Sequence, residues 1–184
     1  MLMEWKGCAY VARASRGTRA AEHRVPVRVG RDERSQRMTR MMGGCQCGRV
    51  RYVAQIADDD AYLCHCRMCQ RATGGVSIAF KNVPVRDVTW ESEPDWYRSS
   101  AIAKRPFCSS CGTPLGFAFV DDGENIDITV GSFDDPSRFR PSHHYAVESM
   151  HEAWIDTRDL PRTRSEHNEN VTKRWMDACG RLPD

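Results

Sequence analysis

Three thiols fall within the six residues CHCRMC at 64–69, and two further pairs stand at Cys45-Gln46-Cys47 and Cys108-Ser109-Ser110-Cys111. Seven of the nine cysteines are thus grouped at short, fixed gaps. Cys64 and Cys66 are too close for easy bridging, and cysteines spaced like this read as metal ligands rather than cross-links. Few folds can bring three such groups together, so the cysteines constrain the topology before any hydrophobic pattern does.

In an extended strand residues i and i+2 share a side, so each C-x-C can aim two sulfurs at one ion. A C-x-x-C pair needs a tight turn, which Gly112, directly after Cys111, eases. Seven thiols divide into four plus three. Structural zinc is closed by four protein ligands, whereas catalytic zinc commonly keeps three and leaves a position open. The natural partition is a closed site from Cys45, Cys47, Cys108 and Cys111 and an open one from Cys64, Cys66 and Cys69. Swapped pairings remain open at this stage, as does a fourth ligand to the second site from His65, Cys8 or Cys179. Strand alternation is expected to turn His65 away.

The rest of the sequence places these groups. At 184 residues the chain suffices for one domain with a core, or one domain plus a tail. It contains no run of about 18 apolar residues and no secretory leader pattern, so membrane insertion and secretion are not indicated. A cytoplasmic, reducing setting is expected, where clustered cysteines serve as ligands or nucleophiles. The net charge of +2 is unevenly spread: residues 1–41 carry ten Lys or Arg against four acids, leaving the remainder at −4. That acidic body carries no electrostatic footprint for nucleic acid.

Residues 1–41 lack a sustained apolar period and are expected to be a disordered leader, or residues upstream of a start at Met41 or Met42, with 42–184 forming the zinc-binding domain. From Gly43 onward, short apolar–polar alternations predict strands at 49–56, 75–80, 114–120 and 125–130, with Asp121-Asp122-Gly123 as a hairpin turn. Val171, Trp175 and Cys179 recur at helical spacing and predict a terminal helix laid on a sheet.

The segments GGCQCGRVRY, CHCRMCQRATG, FCSSCGTPL, IDITVGSFDDP and PSHHYAVES, followed by Trp154 and Leu160-Pro161, occur in this order. Together they resemble the glutathione-dependent formaldehyde-activating enzyme family over about residues 43–161. The resemblance implies a mainly β fold, a zinc-containing β-tent of short antiparallel strands, here with a C-terminal helix. It also implies two Zn²⁺ sites: a structural one on Cys45, Cys47, Cys108 and Cys111, and a catalytic one on Cys64, Cys66 and Cys69. The activity implied is that of a carbon–sulfur lyase joining glutathione and formaldehyde, or handling a related small thiol adduct. A non-catalytic zinc and thiol sensor and a zinc-ribbon interaction module are the alternatives. Three thiolates on Zn²⁺ already carry excess negative charge, so Arg67, Arg71, Lys104 and Arg105 are candidates to offset it and to meet the carboxylates of glutathione. His144 matches a family position. Trp90, Trp96, Trp154, Phe80 and Phe107 are candidates for core or for an aromatic wall.

Overall fold

A computed structural model describes residues 38–121 and 123–180. The strands, in chain order, are β1 (Thr39–Gly44), β2 (Arg51–Ile56), β3 (Asp60–Cys64), β4 (Ile78–Pro84), β5 (Val88–Trp90), β6 (Asp95–Arg98), β7 (Ala103–Phe107), β8 (Gly116–Phe119), β9 (Asn125–Thr129) and β10 (Arg140–Tyr145). Two helices, α1 (Arg67–Thr73) and α2 (Glu169–Cys179), complete the regular structure with several short 3₁₀ turns. The fold is mainly β, in two sheets ordered β1-β2-β5 and β10-β3-β4-β9-β8-β7-β6.

Alternation along the strands decides how the sheets meet. In β2 (RYVAQI) Tyr52, Ala54 and Ile56 are buried and the residues between them are half-exposed. These three pack with Met41 and Val50 against Ala61, Val83, Leu115, Ile126 and Ile128, which lie on one face of the larger sheet. The residues between, Tyr62, Phe80 and Phe117, fall on the opposite face, where they gather with Cys64, Cys66 and Cys69. One face of the large sheet thus makes the core and the other carries α1 and the thiol trio. Tyr52 closes the core: its ring meets Trp90 and Phe133 edge-on at 5.4 and 5.5 Å, and its hydroxyl lies 2.9 Å from Ser132 Oγ. Gly43 is required here, since a Cβ would lie 2.3 Å from the Tyr52 hydroxyl and 2.5 Å from the Ser132 carbonyl.

The predicted strands appear as β2, β4, β8 and β9, and β8 pairs antiparallel with β9 across the expected hairpin, although Asp122 lies outside the described residues. Four features depart from the sequence reading. First, β1 begins at Thr39, inside the segment assigned to the leader, and pairs Thr39, Arg40 and Met41 with Ile56, Gln55 and Ala54. Met41 joins the core, so alternation across the charged Arg40 outweighs the arginine rhythm upstream. The rest of the leader lies outside the described residues. Second, β10 runs parallel to β3, as a fully exposed edge strand. Third, Cys45-Gln46-Cys47 is a turn, not a strand. Fourth, α2 forms where expected, capped by the Asn168 side chain on the Val171 N–H at 3.2 Å. Among the described residues it packs against the Ser165–His167 turn and not on a sheet, with Thr172 Oγ1 reaching the Ser165 carbonyl, and Val171 is exposed.

Candidate metal centres

Two turns of nearly the same design build the first cluster. After β1, the Cys45 N–H donates to the Val50 carbonyl at 3.0 Å, and Gly48 takes φ +79°. After β7, the Cys108 N–H donates to the Thr113 carbonyl at 3.0 Å, and Gly112 takes φ +77°. In each turn two cysteines face the shared cluster while a glycine occupies the left-handed region that other residues avoid. The four Sγ atoms of Cys45, Cys47, Cys108 and Cys111 lie within 4.8 Å of one another. Cys45 to Cys47 is 3.5 Å and Cys47 to Cys108 is 3.7 Å. These spacings are too long for disulfides and match the sulfur–sulfur edge of about 3.8 Å that a tetrahedral zinc site with bonds of about 2.3 Å requires. Donors already face the sulfurs: the Val50 N–H reaches Cys45 Sγ at 3.2 Å and Arg49 Nε reaches Cys108 Sγ at 3.4 Å. Arg49 is in turn held by Asp95. Thr113 Oγ1, 3.1 Å from Cys111 Sγ, together with the Thr113 backbone, holds that thiol down to about 5. The set is rich in sulfur, compact and supplied with donors, and it fits zinc.

The second cluster is local. Cys64 ends β3, Cys66 stands at the N-cap of α1, and Cys69 lies in its first turn. The cap is a sulfur where an oxygen is usual: the Cys69 N–H donates to Cys66 Sγ at 3.3 Å. At the other end Gly74 takes φ +72° and its N–H returns to the Gln70 carbonyl, which stops the helix after seven residues. The Sγ atoms of Cys64, Cys66 and Cys69 lie within 4.8 Å of one another, and among the described residues no fourth Cys, His, Asp or Glu joins them. Cys64 Sγ donates to Cys69 Sγ at 3.5 Å. That hydrogen bond, opposed by burial and aided by the Arg105 guanidinium, holds the Cys69 thiol down to about 5. The same bond, with burial, pushes Cys64 up. The trio thus already stabilises a thiolate, the form in which sulfur binds metal.

Of the four basic residues singled out in the sequence, Arg105 alone among the described contacts reaches a sulfur, with Nη2 3.4 Å from Cys69 Sγ. Arg67 turns to the Gln70 side chain and Lys104 lies over the Trp96 ring, 5.1 Å from its centroid. Arg71 lines a cavity of about 680 Å³ beside α1, whose walls include Met68, Phe80, Tyr97, Arg105 and Phe107. Phe80 and Phe107 line that cavity, whereas Trp90 packs on Tyr52 and Trp154 is exposed. His65 is fully buried and does not join the sulfurs. Its Nε2 lies 2.9 Å from His144 Nδ1, which gives His144 a place beside the trio without contact to it. The sequence reading missed Gln70, whose buried Nε2 donates to the carbonyls of His65 at 2.8 Å and Ser149 at 2.9 Å. A lone glutamine in a short helix carries no sequence signal. Only the fold shows that it ties the CHC turn to a segment some eighty residues away.

With this geometry in place, comparison with known proteins is decisive at the family level. Residues 40–149 match the sequence profile of the glutathione-dependent formaldehyde-activating enzymes. The chain belongs to that family. The matched span holds both cysteine clusters, Arg105 and the cavity. Over 83 residues the chain is 32% identical to an uncharacterized lyase of Schizosaccharomyces pombe, a stretch that makes up 45% of this chain and 60% of that relative. The chain thus spans less than two thirds of the relative's length. A crystal structure of a Rhodobacter sphaeroides protein aligns with a TM-score of 0.48 at 21% identity, over 57% of this chain and all of the other. Among the described residues no helix is long and apolar enough to cross a membrane.

Proposed function

We propose that this family member is a zinc-dependent carbon–sulfur lyase of the reducing cytoplasm that joins glutathione to formaldehyde, or handles a related small thiol adduct. The observation that carries the reading is the inequality of the two clusters: four sulfurs converge at one and three at the other. Cys45, Cys47, Cys108 and Cys111 would serve as the structural ligands. Cys64, Cys66 and Cys69 would hold a second ion and, being three sulfurs and not four, would leave room for an incoming thiol. Zinc there would supply a Lewis-acidic position that favours the thiolate over the thiol.

The chain's own residues do the rest. The strand–helix joint fixes the three sulfurs, with the Cys66 cap and the Gln70 bridge holding its shape. Arg105 offsets the negative charge that collects on the sulfurs. Addition of a thiolate to a carbonyl is intrinsically easy, so placing the two reactants together supplies most of what catalysis needs.

The test is cobalt substitution. Glutathione should raise the thiolate charge-transfer absorbance, and S-methylglutathione, which has no free thiol, should not. The response should fade as pH falls, because the ligand must lose its proton to bind. No response at any pH would overturn glutathione as the ligand. Binding without exchange of a formaldehyde adduct would indicate a thiol sensor.

A further inference from the structure

Arg105 is only 7% exposed, yet part of its guanidinium is unused. Its Nη2 donates to Cys69 Sγ, its plane lies over the Phe117 ring at 5.2 Å, and among the described residues its buried Nε–H has no hydrogen-bond partner. The guanidinium is a rigid fork whose Nε–H and one Nη–H are parallel donors that take two acceptors side by side. One prong is on the Cys69 sulfur, and the rigid fork holds the other close beside it. Buried donors left unpaired are costly, and a ligand oxygen would satisfy this one. In an adduct of a thiol with an aldehyde, the oxygen sits on the carbon bonded to sulfur, so sulfur and oxygen are paired acceptors of the kind such a fork takes.

Arg105 also lines the cavity of about 680 Å³, and the lining says what kind of aldehyde fits. Met68, Ala72, Phe80, Tyr97, Phe107 and Pro114 make its surface mostly apolar, and no acidic residue lines it. A one-carbon unit fills little more than the roughly 30 Å³ share of a single water. The ammonium group of glutathione would find no carboxylate in this space, and with Arg105 already on Cys69 only Arg71 is left for its two carboxylates, so the tripeptide is a poor occupant as well. An apolar substituent on the reacting carbon matches both the size and the lining.

We propose that Arg105 Nε–H binds the oxygen of the reacting carbon and that the cavity takes an apolar substituent on that carbon. The preferred carbonyl partners are then aldehydes with aliphatic or aromatic chains rather than formaldehyde. This rests on the lyase reading above. In the step, the thiolate sulfur forms the bond to carbon while the carbonyl π pair moves onto oxygen. Arg105 stabilises the alkoxide, which then takes up the proton the thiol released on ionising. Cleavage is the reverse.

The test compares turnover of glutathione hemithioacetals of formaldehyde, hexanal and benzaldehyde by the protein as purified with its zinc. The larger adducts should have kcat/KM about tenfold higher. Arg105→Lys keeps a charge beside Cys69 but loses the parallel donor, and should lower kcat about 10²-fold while the KM for the adduct changes little. A second readout does not need turnover. The ¹⁵N–¹H resonance of Arg105 Nε, assigned by its loss in Arg105→Lys, should shift when the hexanal adduct is added. It should stay in place with S-hexylglutathione, which lacks the oxygen. Equal or better turnover of the formaldehyde adduct, or a resonance unmoved by the hexanal adduct, would overturn the proposal and leave the lyase reading intact. Failure of every adduct to turn over, with no cobalt response to glutathione, would strike the lyase reading itself.

Discussion

The two cysteine clusters use the same ligand atom and are assembled in different ways. The four-sulfur set draws its members from turns after β1 and β7, more than sixty residues apart, and so fastens the edge of one sheet to the end of a strand in the other. The three-sulfur set comes from one strand–helix joint, residues 64–69, on the far face of the large sheet from the core. A ligand set that closes a long loop contributes to folding, because the unfolded chain must surrender that much more freedom to assemble it. A local set closes almost no loop, and altering it should leave the fold standing. On the function proposed above, the site for chemistry is the one the fold can do without.

The largest effect expected from this contrast is at the four-sulfur set. Cys45→Ser or Cys111→Ser should abolish the soluble fold, or lower the thermal midpoint by more than about 10 °C, as loss of several kcal/mol would in a domain of this size. Soluble yield and calorimetry would show it. If Cys66→Ser behaves the same way, the division of labour between the clusters is wrong.

Truncation separates β1 from the residues before it. Beginning the protein at Met42 removes Thr39, Arg40 and Met41, three ladder positions of β1 and one core side chain. It should cost about 2–4 kcal/mol by denaturant unfolding, whereas a chain beginning at Met38 should lose almost nothing. Equal stability of the two would show that β1 contributes little.

At the trio, Cys66→Ser should leave a folded protein whose midpoint falls by about 3 °C or less, since the serine hydroxyl can still cap α1. Metal analysis should find about one zinc fewer per chain than in the parent. Retention of both ions would show that Cys66 is not a ligand.

The smallest effect concerns the buried Lys81 on the core side, which is paired with the exposed carboxylate of Asp58. The Lys81 ammonium holds Asp58 below the ordinary carboxylate range. A depressed carboxylate contributes stability that is present above its unfolded pKa and is lost as pH falls through the folded one. Asp58→Asn should therefore cost about 1 kcal/mol at neutral pH, with the difference from the parent shrinking below about pH 4. A difference that persists at lower pH would mean that the pair is not what links them.

Much of the clustering was legible early because the grouping of cysteines is written in short-range spacing. Cys45, Cys47, Cys108 and Cys111 converge as the four-plus-three count predicts, and Gly112 adopts the left-handed turn expected of it. The local route was different from the one anticipated. Cys45 and Cys47 meet in a turn, and Cys66 caps a helix, because a seven-residue segment with a glycine stop can form a helix that no apolar period announces. The terminal helix shows the opposite limit. Its periodicity predicted the element correctly, but periodicity identifies a face and says nothing of what, if anything, covers it.

What the sequence by itself determined, then, is the mainly β class, the family and the sorting of seven cysteines, since each rests on residue type and on spacings of a few positions. What only the tertiary structure decided is which of four basic residues reaches the sulfurs, that Gln70 clamps the CHC turn, and that a large apolar cavity adjoins α1. Arg105 and Cys69 are 36 residues apart and meet because β7 and the β3–α1 joint converge on the same face of the large sheet. Strand order sets that meeting, and strand order is fixed by which faces bury one another across the whole chain, a long-range property no local pattern carries.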